Sequence, residues 1–461
     1  MSVKYKLIDN LFIYSRQVTL FLIFAILVMS CKKYLDAKSD QRLSTPDTIE
    51  DLQALLDNGD LYTAMMEPNT ATDEYYVMNA DWLSSSQIYQ ENYVWDLQPT
   101  TDFVANHDWT YAYKSIFAVN SVLDNLKRVS AEDQQKWNNV KGSALFIRAH
   151  NFYMLAQIYA KQYDANTGTI DLGLPLRLTS DFNKPSVRAN VQQTYDQILE
   201  DLQFALPLLP DVPPFATRPS RAATYALLAR VNLTMGNYTE SKKYSDSCLT
   251  LYNFLYDYKD NTLNLSASAP FPALNKEVIY HAWDRRSLNT NSTAKIDSTL
   301  YSSFQNNDLR KTGFFSKNPD GSFRFKGSYA GNVSRLFCGI ATDEVYLMRA
   351  ECYARLGNAT DAVKDLNTLL SKRYDATFVP VVGTTANAAL IQILNERKKE
   401  LIYRGQRWTD LKRLNKESQF QVTLKRVLGS NVYTLPPNDP RYVFMIPQDA
   451  IRLSGIQQNI H

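Results

Sequence analysis

The chain has 461 residues, with 50 Lys+Arg against 47 Asp+Glu, so its formal net charge is only +3. A surface of mixed sign lacks the clustered basic excess that nucleic-acid binding needs, which excludes that class of partner. At 45% hydrophobic and 21% charged residues the composition is globular, and the length allows two or three domains of roughly 150 residues or one large body. Aromatics make up 12%, among them 29 Tyr, a residue with an apolar face and a polar tip.

Residues 18–29, VTLFLIFAILVM, are an uncharged apolar run preceded by Lys4, Lys6 and Arg16. The run is short of the about twenty residues that a spanning helix requires. A basic start, a short apolar core and then a small residue describe a secretory signal, expected over residues 1–30. The sequence Leu27-Val28-Met29-Ser30-Cys31 resembles a bacterial lipobox, which implies cleavage before Cys31 and lipidation of it. An ordinary signal followed by an accidental Cys is the alternative. Lys32 and Lys33 after the Cys, where an Asp would favour retention, imply sorting to the outer membrane.

Residues 62–112 then interleave Tyr62, Tyr75, Tyr76, Trp82, Tyr89, Tyr93, Trp95, Trp109 and Tyr111 with Asp, Asn and Ser, without helical period. Over 144–160 the apolar positions Leu145, Ala149, Phe152, Ala156 and Tyr159 step by the 3–4 spacing of a helix. The stretch Asp164 to Asp171 alternates oxygen ligands at first, but it lacks the Gly and Glu that a calcium loop wants at its sixth and twelfth positions, so it predicts a solvated turn. Ala222, Ala226, Ala229 and Leu233 give a second helix ending at Gly236, a natural C-cap. Residues 254–335 form a second irregular, ring-rich insertion with Phe271, Tyr280, Trp283, Tyr301, Phe304, Phe314, Phe315, Phe323 and Tyr329. Most of these rings are expected to plug the core beneath long loops. Trp82 and Trp283 have polar neighbours on both sides, which suits a ring stacked on a sugar, with Asp73, Asp81 and Arg285 as hydrogen-bonding partners.

A third helix is expected over 343–356, with Thr342 as N-cap and Asp343 and Glu344 favourable to its dipole. Taking Gly357 as position 15 places Ala350, Tyr353 and Ala362 at tetratricopeptide positions 8, 11 and 20. Around Gly236 the same grammar holds Ala229 at position 8, but Asn232 and Ser241 replace the aromatic and the Ala. The charge density of 391–417 predicts a solvated helix face broken at Gly405. Glu396, Arg397, Glu400, Arg407 and Asp410 are spaced for ion pairs, a role favoured over a catalytic carboxylate pair. With Cys31 lipidated, Cys248, Cys338 and Cys352 cannot form a closed disulfide set and are expected to be buried thiols. Four scattered His and the absence of Gly-rich phosphate loops give no support for a metal, a nucleotide or any other cofactor.

Several segments together resemble the SusD/RagB family of outer-membrane nutrient-binding lipoproteins. They are Cys31 to Asp36, KGSALFIRAHNFYMLAQIYA (141–160), Gly173-Leu174-Pro175-Leu176, 194–210, 222–241, DEVYLMRAECYARLG (343–357), NERKKELIYRGQRWTDLKR (395–413) and 444–459. Arg404 departs from the Glu usual before the Gly, and is expected to alter a local ion pair. The resemblance implies an all-α fold: one body of four tetratricopeptide-like helix pairs with long irregular ligand-binding insertions. It divides the chain into a signal peptide (1–30), an N-terminal SusD-like region (31–250) and a C-terminal SusD/RagB region (251–461). It further implies a surface-exposed, lipid-anchored protein without enzymatic activity. Such a protein binds oligosaccharide, or peptide, and passes it to a SusC-like TonB-dependent transporter. The residues alone leave two alternatives open: a lipid-anchored helical scaffold for protein partners, and an α-helical glycoside hydrolase. The second would need a carboxylate pair across a cleft, for which Asp81 and Glu91 beside Trp82 are the nearest candidates.

Overall fold

The structure, a computed structural model, describes residues 46–62, 66–96, 107–260, 262–284 and 293–460. Cys31 and Arg285 lie outside the described residues. Residues 48–461 form one compact unit. Its frame is a succession of antiparallel helix pairs: α1 (Ile49–Leu56), α2 (Asp108–Leu126), α3 (Gln134–Tyr159), α4 (Val191–Ala205), α5 (Arg221–Met235), α6 (Tyr238–Leu251), α7 (Thr342–Arg355), α8 (Ala359–Leu370), α9 (Ala386–Glu400) and α10 (Arg407–Leu414). Neighbours in sequence pack as pairs, α3 on α4, α5 on α6 and α7 on α8, while α6 against α7 joins the two halves.

The pairs close where the small residues predict. Gly236 (φ 80°) and Gly357 (φ 85°) adopt the left-handed conformation that ends α5 and α7 and turns the chain back. Ala350 and Ala362 are fully buried. In the α5–α6 pair the Ser241 hydroxyl donates to the Ala229 carbonyl at 2.8 Å, so a serine fits this crossing because the backbone itself accepts its hydrogen bond. The predicted apolar stripe of α3 is buried, but so are Arg148, His150, Asn151 and Gln157 between its members: the helix is enclosed on all sides.

Buried charges tie one helix to the next. Arg148 of α3 grips Asp201 of α4 with two bonds of 2.8 and 2.7 Å. Arg230 of α5 does the same to Glu344 of α7 (2.8 and 2.6 Å). Arg349 of α7 reaches Asp365 of α8 and Asp246 of α6. The structure departs from two expectations. Thr342 is the first residue of α7 and caps nothing; its hydroxyl donates to the carbonyls of Phe254 and Glu277 (2.6 and 3.1 Å). The stretch 391–417 is not a solvated face, since Arg397, Glu400, Asp410, Lys412 and Arg413 are all buried. Matched carboxylates make that burial tolerable for the arginines: Arg397 meets Asp410 at 2.8 Å, and Arg413 meets both Glu351 and Asp410.

The strands are short antiparallel pairs that tie down the loops. The first, β1 (Tyr75–Tyr76), pairs with a strand at Lys295–Ile296, setting Tyr76 opposite Lys295 and joining the two ring-rich insertions directly. A five-residue hairpin, Leu424–Leu428 with Asn431–Leu435, closes over the first insertion. Its Arg426 is buried, donating to the carbonyls of Tyr75 (2.8 Å) and Thr72 and lying 4.2 Å from the Tyr93 ring centre. Most insertion rings fill the interior, as expected: Tyr75, Tyr93, Trp95, Phe271, Phe304, Phe314 and Tyr329 are buried. The three described cysteines are buried thiols. No described helix is long and apolar enough to cross a membrane.

Candidate functional site

Trp82 and Asp81 sit on a short helix, Asn79–Leu83, in the first insertion. Five residues cannot hold an indole by helical packing alone, and the neighbouring chain fixes it instead. Its Nε1–H donates to the Gln90 carbonyl (3.2 Å), and the Gln90 amide donates back to the carbonyls of Leu83 and Ser85. Tyr433 of the closing hairpin lies tilted beside it, with ring centres 6.4 Å apart. The indole is thus anchored along its polar edge and half-exposed.

The Tyr76–Lys295 pairing builds the polar half of the face. Lys295 forms an ion pair with Asp320, and its hydrogen bond to that carboxylate, with the Asp320 charge and a smaller contribution from Asp81, holds its ammonium above the usual lysine range. Asp320 is itself held far below the ordinary carboxylate range by Lys295 and by donation from Ser322. Lys295 and Asp320 were missed from sequence: Lys295 comes near Asp81 only because two strands far apart in the chain are paired, and Asp320 joins through its ion pair with Lys295.

Trp283 stands elsewhere, with other neighbours. Its backbone bridges Phe337, and its N–H donates to the Tyr62 carbonyl at 2.9 Å. The guanidinium of Arg335 lies 3.6 Å from its ring centre, covering one face. A cation over an indole is a favourable pairing of its own. Any ligand stacking on Trp283 must use the opposite face or displace Arg335.

Asp73 is placed inward. Arg407 binds both its oxygens (2.7 and 2.9 Å) and Lys398 adds a third bond at 2.8 Å. Burial pushes this carboxyl up, but Arg407 and Lys398 outweigh it and hold it far below its ordinary value. Its neighbour Glu74 goes the other way: burial lifts its carboxyl to about 7 despite donation from the Tyr403 N–H and the Thr72 hydroxyl. Asp73 therefore fastens the first insertion to the 391–417 stretch, leaving Asp81 as the sequence-predicted carboxylate on the open face.

Glu396 and Glu400 are shared by one guanidinium, that of Arg310 (2.7 and 2.9 Å), which also binds Asp308. Arg373 joins Glu400 to Glu277. Arg404 makes its altered ion pair with Asp343 at 2.6 Å, stacked 3.9 Å from the Tyr329 ring centre. Burial still lifts Asp343 to about 7. Among the described residues no three His, Cys, Asp or Glu side chains converge as a metal ion would require, and Asp164 of the 164–171 turn pairs with Lys416.

Stacked antiparallel helix pairs, interrupted by long loops that a strand pair ties together, define a tetratricopeptide-like scaffold. Comparison with known proteins narrows the class. A family model described as starch-binding associating with outer membrane matches residues 33–233, and that of the SusD family matches 342–459. The two together cover well over half of the sequence, and the chain belongs to the SusD/RagB family. The SusD-like protein P2 of Formosa agariphila is 22% identical over 422 residues, covering 76% of this chain and 79% of that protein. A SusD superfamily protein of Bacteroides thetaiotaomicron superposes with a TM-score of 0.73 at 20% identity, over 90% of this chain and 100% of the other. A SusD-like carbohydrate binding protein of Bacteroides vulgatus gives 0.67 at 21% identity, over 88% and 96%.

Proposed function

We propose that this protein is a cell-surface lipoprotein, anchored to the outer membrane through Cys31, that binds an oligosaccharide and delivers it to a SusC-like TonB-dependent transporter. The observation that carries the proposal is the pairing of family membership with an irregular face that presents a half-exposed indole, Trp82, beside the Asp81, Lys295 and Asp320 cluster. Apolar sugar faces stack on such rings while hydroxyl groups bond to charged neighbours, so one platform supplies both kinds of contact. Trp283 and Arg285 serve a second sugar unit on the other insertion. The role is capture and transfer, with no chemical step. The related Bacteroides vulgatus protein, described as carbohydrate binding, supports a saccharide over a peptide.

The test is a glycan and peptide screen on the full chain, repeated on Trp82→Ala and Trp283→Ala. Losing one stacked indole should cost on the order of 1–3 kcal/mol of affinity by analogy with base stacking, about tenfold or more, with the melting temperature kept. Full-strength glycan binding by both variants would remove these residues from the site. Binding of protein partners alone would support the scaffold reading instead. Cys31→Ala should abolish fractionation with the outer membrane, and normal fractionation of that variant would overturn the anchor.

A further inference from the structure

A cavity of about 690 Å³ lies where the end of α3, the 161–172 turn, α10 and the C-terminal segment meet. No residue of either ring-rich insertion lines it. We infer that this cavity is a second binding site, for a small hydroxylated carboxylate of the sugar-acid class, with Lys412 receiving the carboxylate and Gln162 a hydroxyl.

Lys412 is only 5% exposed. Its ammonium donates to the Gln157 and Ala160 carbonyls, both at 2.7 Å, which leaves its third N–H without an acceptor among the described residues. No described carboxylate lies within ion-pair distance of it. The buried arginines of the helical frame behave otherwise: Arg148, Arg230, Arg310, Arg397 and Arg413 each grip a carboxylate. A desolvated cation without a counter-ion is costly, and burial accordingly pulls the Lys412 ammonium down to about 7. An anion entering the cavity would supply the missing partner.

The rim does not compete for that anion. Lys161 is paired with Asp171, Lys416 with Asp164, and Asp439 with Arg441. Lys412 therefore sets the sign of the cavity, and one positive charge matches a monoanion better than a phosphate dianion. Gln162 commits its amide nitrogen to the Thr234 carbonyl (2.6 Å), so its buried Oε1 is left as an acceptor with no donor. A ligand hydroxyl would meet that need. Leu172, Pro440, Val443 and Ile460 give the wall apolar surface for the C–H face of a ring.

The experiment titrates the full chain, purified in detergent, with D-glucuronate and with D-glucose, its neutral counterpart, at pH 6. Glucuronate should bind about tenfold or more tightly than glucose. Lys412→Met, which keeps the apolar stem, should erase that preference, and Gln162→Leu should weaken both sugars. Equal binding of the two sugars, no binding of glucuronate, or an undiminished preference in folded Lys412→Met would each overturn the site. Should Lys412→Met fail to fold, hydrogen exchange on the unaltered chain decides. Glucuronate-dependent protection of 157–172 and 408–416 supports the inference. Protection confined to the ring-rich insertions, or none, defeats it. That last pattern leaves the oligosaccharide proposal untouched, so the two stand or fall separately.

Discussion

The described residues of the second insertion (254–335) and the helical stretch that follows it (342–417) are held in place by opposite means. In the insertion, rings pack on rings: Phe271 touches Phe314 and Tyr329, Phe304 and Phe314 touch Phe315, and Tyr301 stacks on Phe323 at 3.7 Å. In the helices, guanidinium groups reach carboxylates across each interface. Ring clusters need no sequence period and tolerate sliding, whereas a two-bond Arg–carboxylate contact fixes one geometry. Hydropathy thus misleads in both places. The charged stretch lies inside, and the ring-rich insertion spends most of its rings on its own core.

Four perturbations can break or sharpen that contrast. The largest effect is expected at Glu400, which holds both Arg310 and Arg373. Glu400→Ala takes from two buried cations the carboxylate they share, leaving Arg310 to Asp308 and Glu396 and Arg373 to Glu277 alone, and should cost about 3–5 kcal/mol in urea denaturation; a loss below about 1 kcal/mol would show that the network is not structural. Trp95→Ala should approach the same cost, about 3–5 kcal/mol, because this insertion ring is only 1% exposed and its indole N–H is bonded to the Ala71 carbonyl. If that variant melts normally, the rings of the first insertion do not build its core. Ala350→Leu and Ala362→Leu should each overpack a helix crossing by roughly 1–3 kcal/mol. Unchanged melting of both would place the crossings elsewhere.

The mildest probe is Glu74 of the first insertion, which accepts from the Thr72 hydroxyl beside it and, across to the helical stretch, from the Tyr403 N–H. Folded Glu74 keeps its proton to about pH 7, while an unfolded glutamate releases it near 4.5. The folded state therefore binds more protons in that window, and this group's contribution to stability falls as pH rises through it. Glu74→Gln should flatten the decline when stability is followed from pH 4.5 to 7.5. An unchanged slope would show that Glu74 is ionised in the folded protein.

Legibility in the sequence followed the range of the interaction. Gly236, Gly357, Ala350 and Ala362 announced themselves because a helix turn-back is settled within a dozen residues. Arg230 and Glu344, 114 positions apart, could not be matched from sequence, so the carboxylate of Glu344 passed for a dipole complement. The error over 391–417 has the same root: a run of charges is solvated unless partners such as Arg310, Glu351 and Asp73 arrive from elsewhere. At the candidate site, Trp82 was visible through its polar neighbours. Lys295, Asp320 and Tyr433 were not, and neither was Arg335, because each reaches its indole or carboxylate through pairing that only the folded chain creates.

The strand pair that joins the insertions bears on the time course of folding. Tyr76 and Lys295 stand roughly 220 positions apart, so their pairing closes a very long loop whose entropy must be overcome before any contact rewards it. Helix pairs such as α5–α6 need only local closure and can form while the rest of the chain is still extended. The face carrying Trp82, Asp81 and Lys295 is then among the last parts to assemble. If that face is the ligand site proposed above, ligand binding, followed against helix content during refolding, should lag as a separate, slower phase.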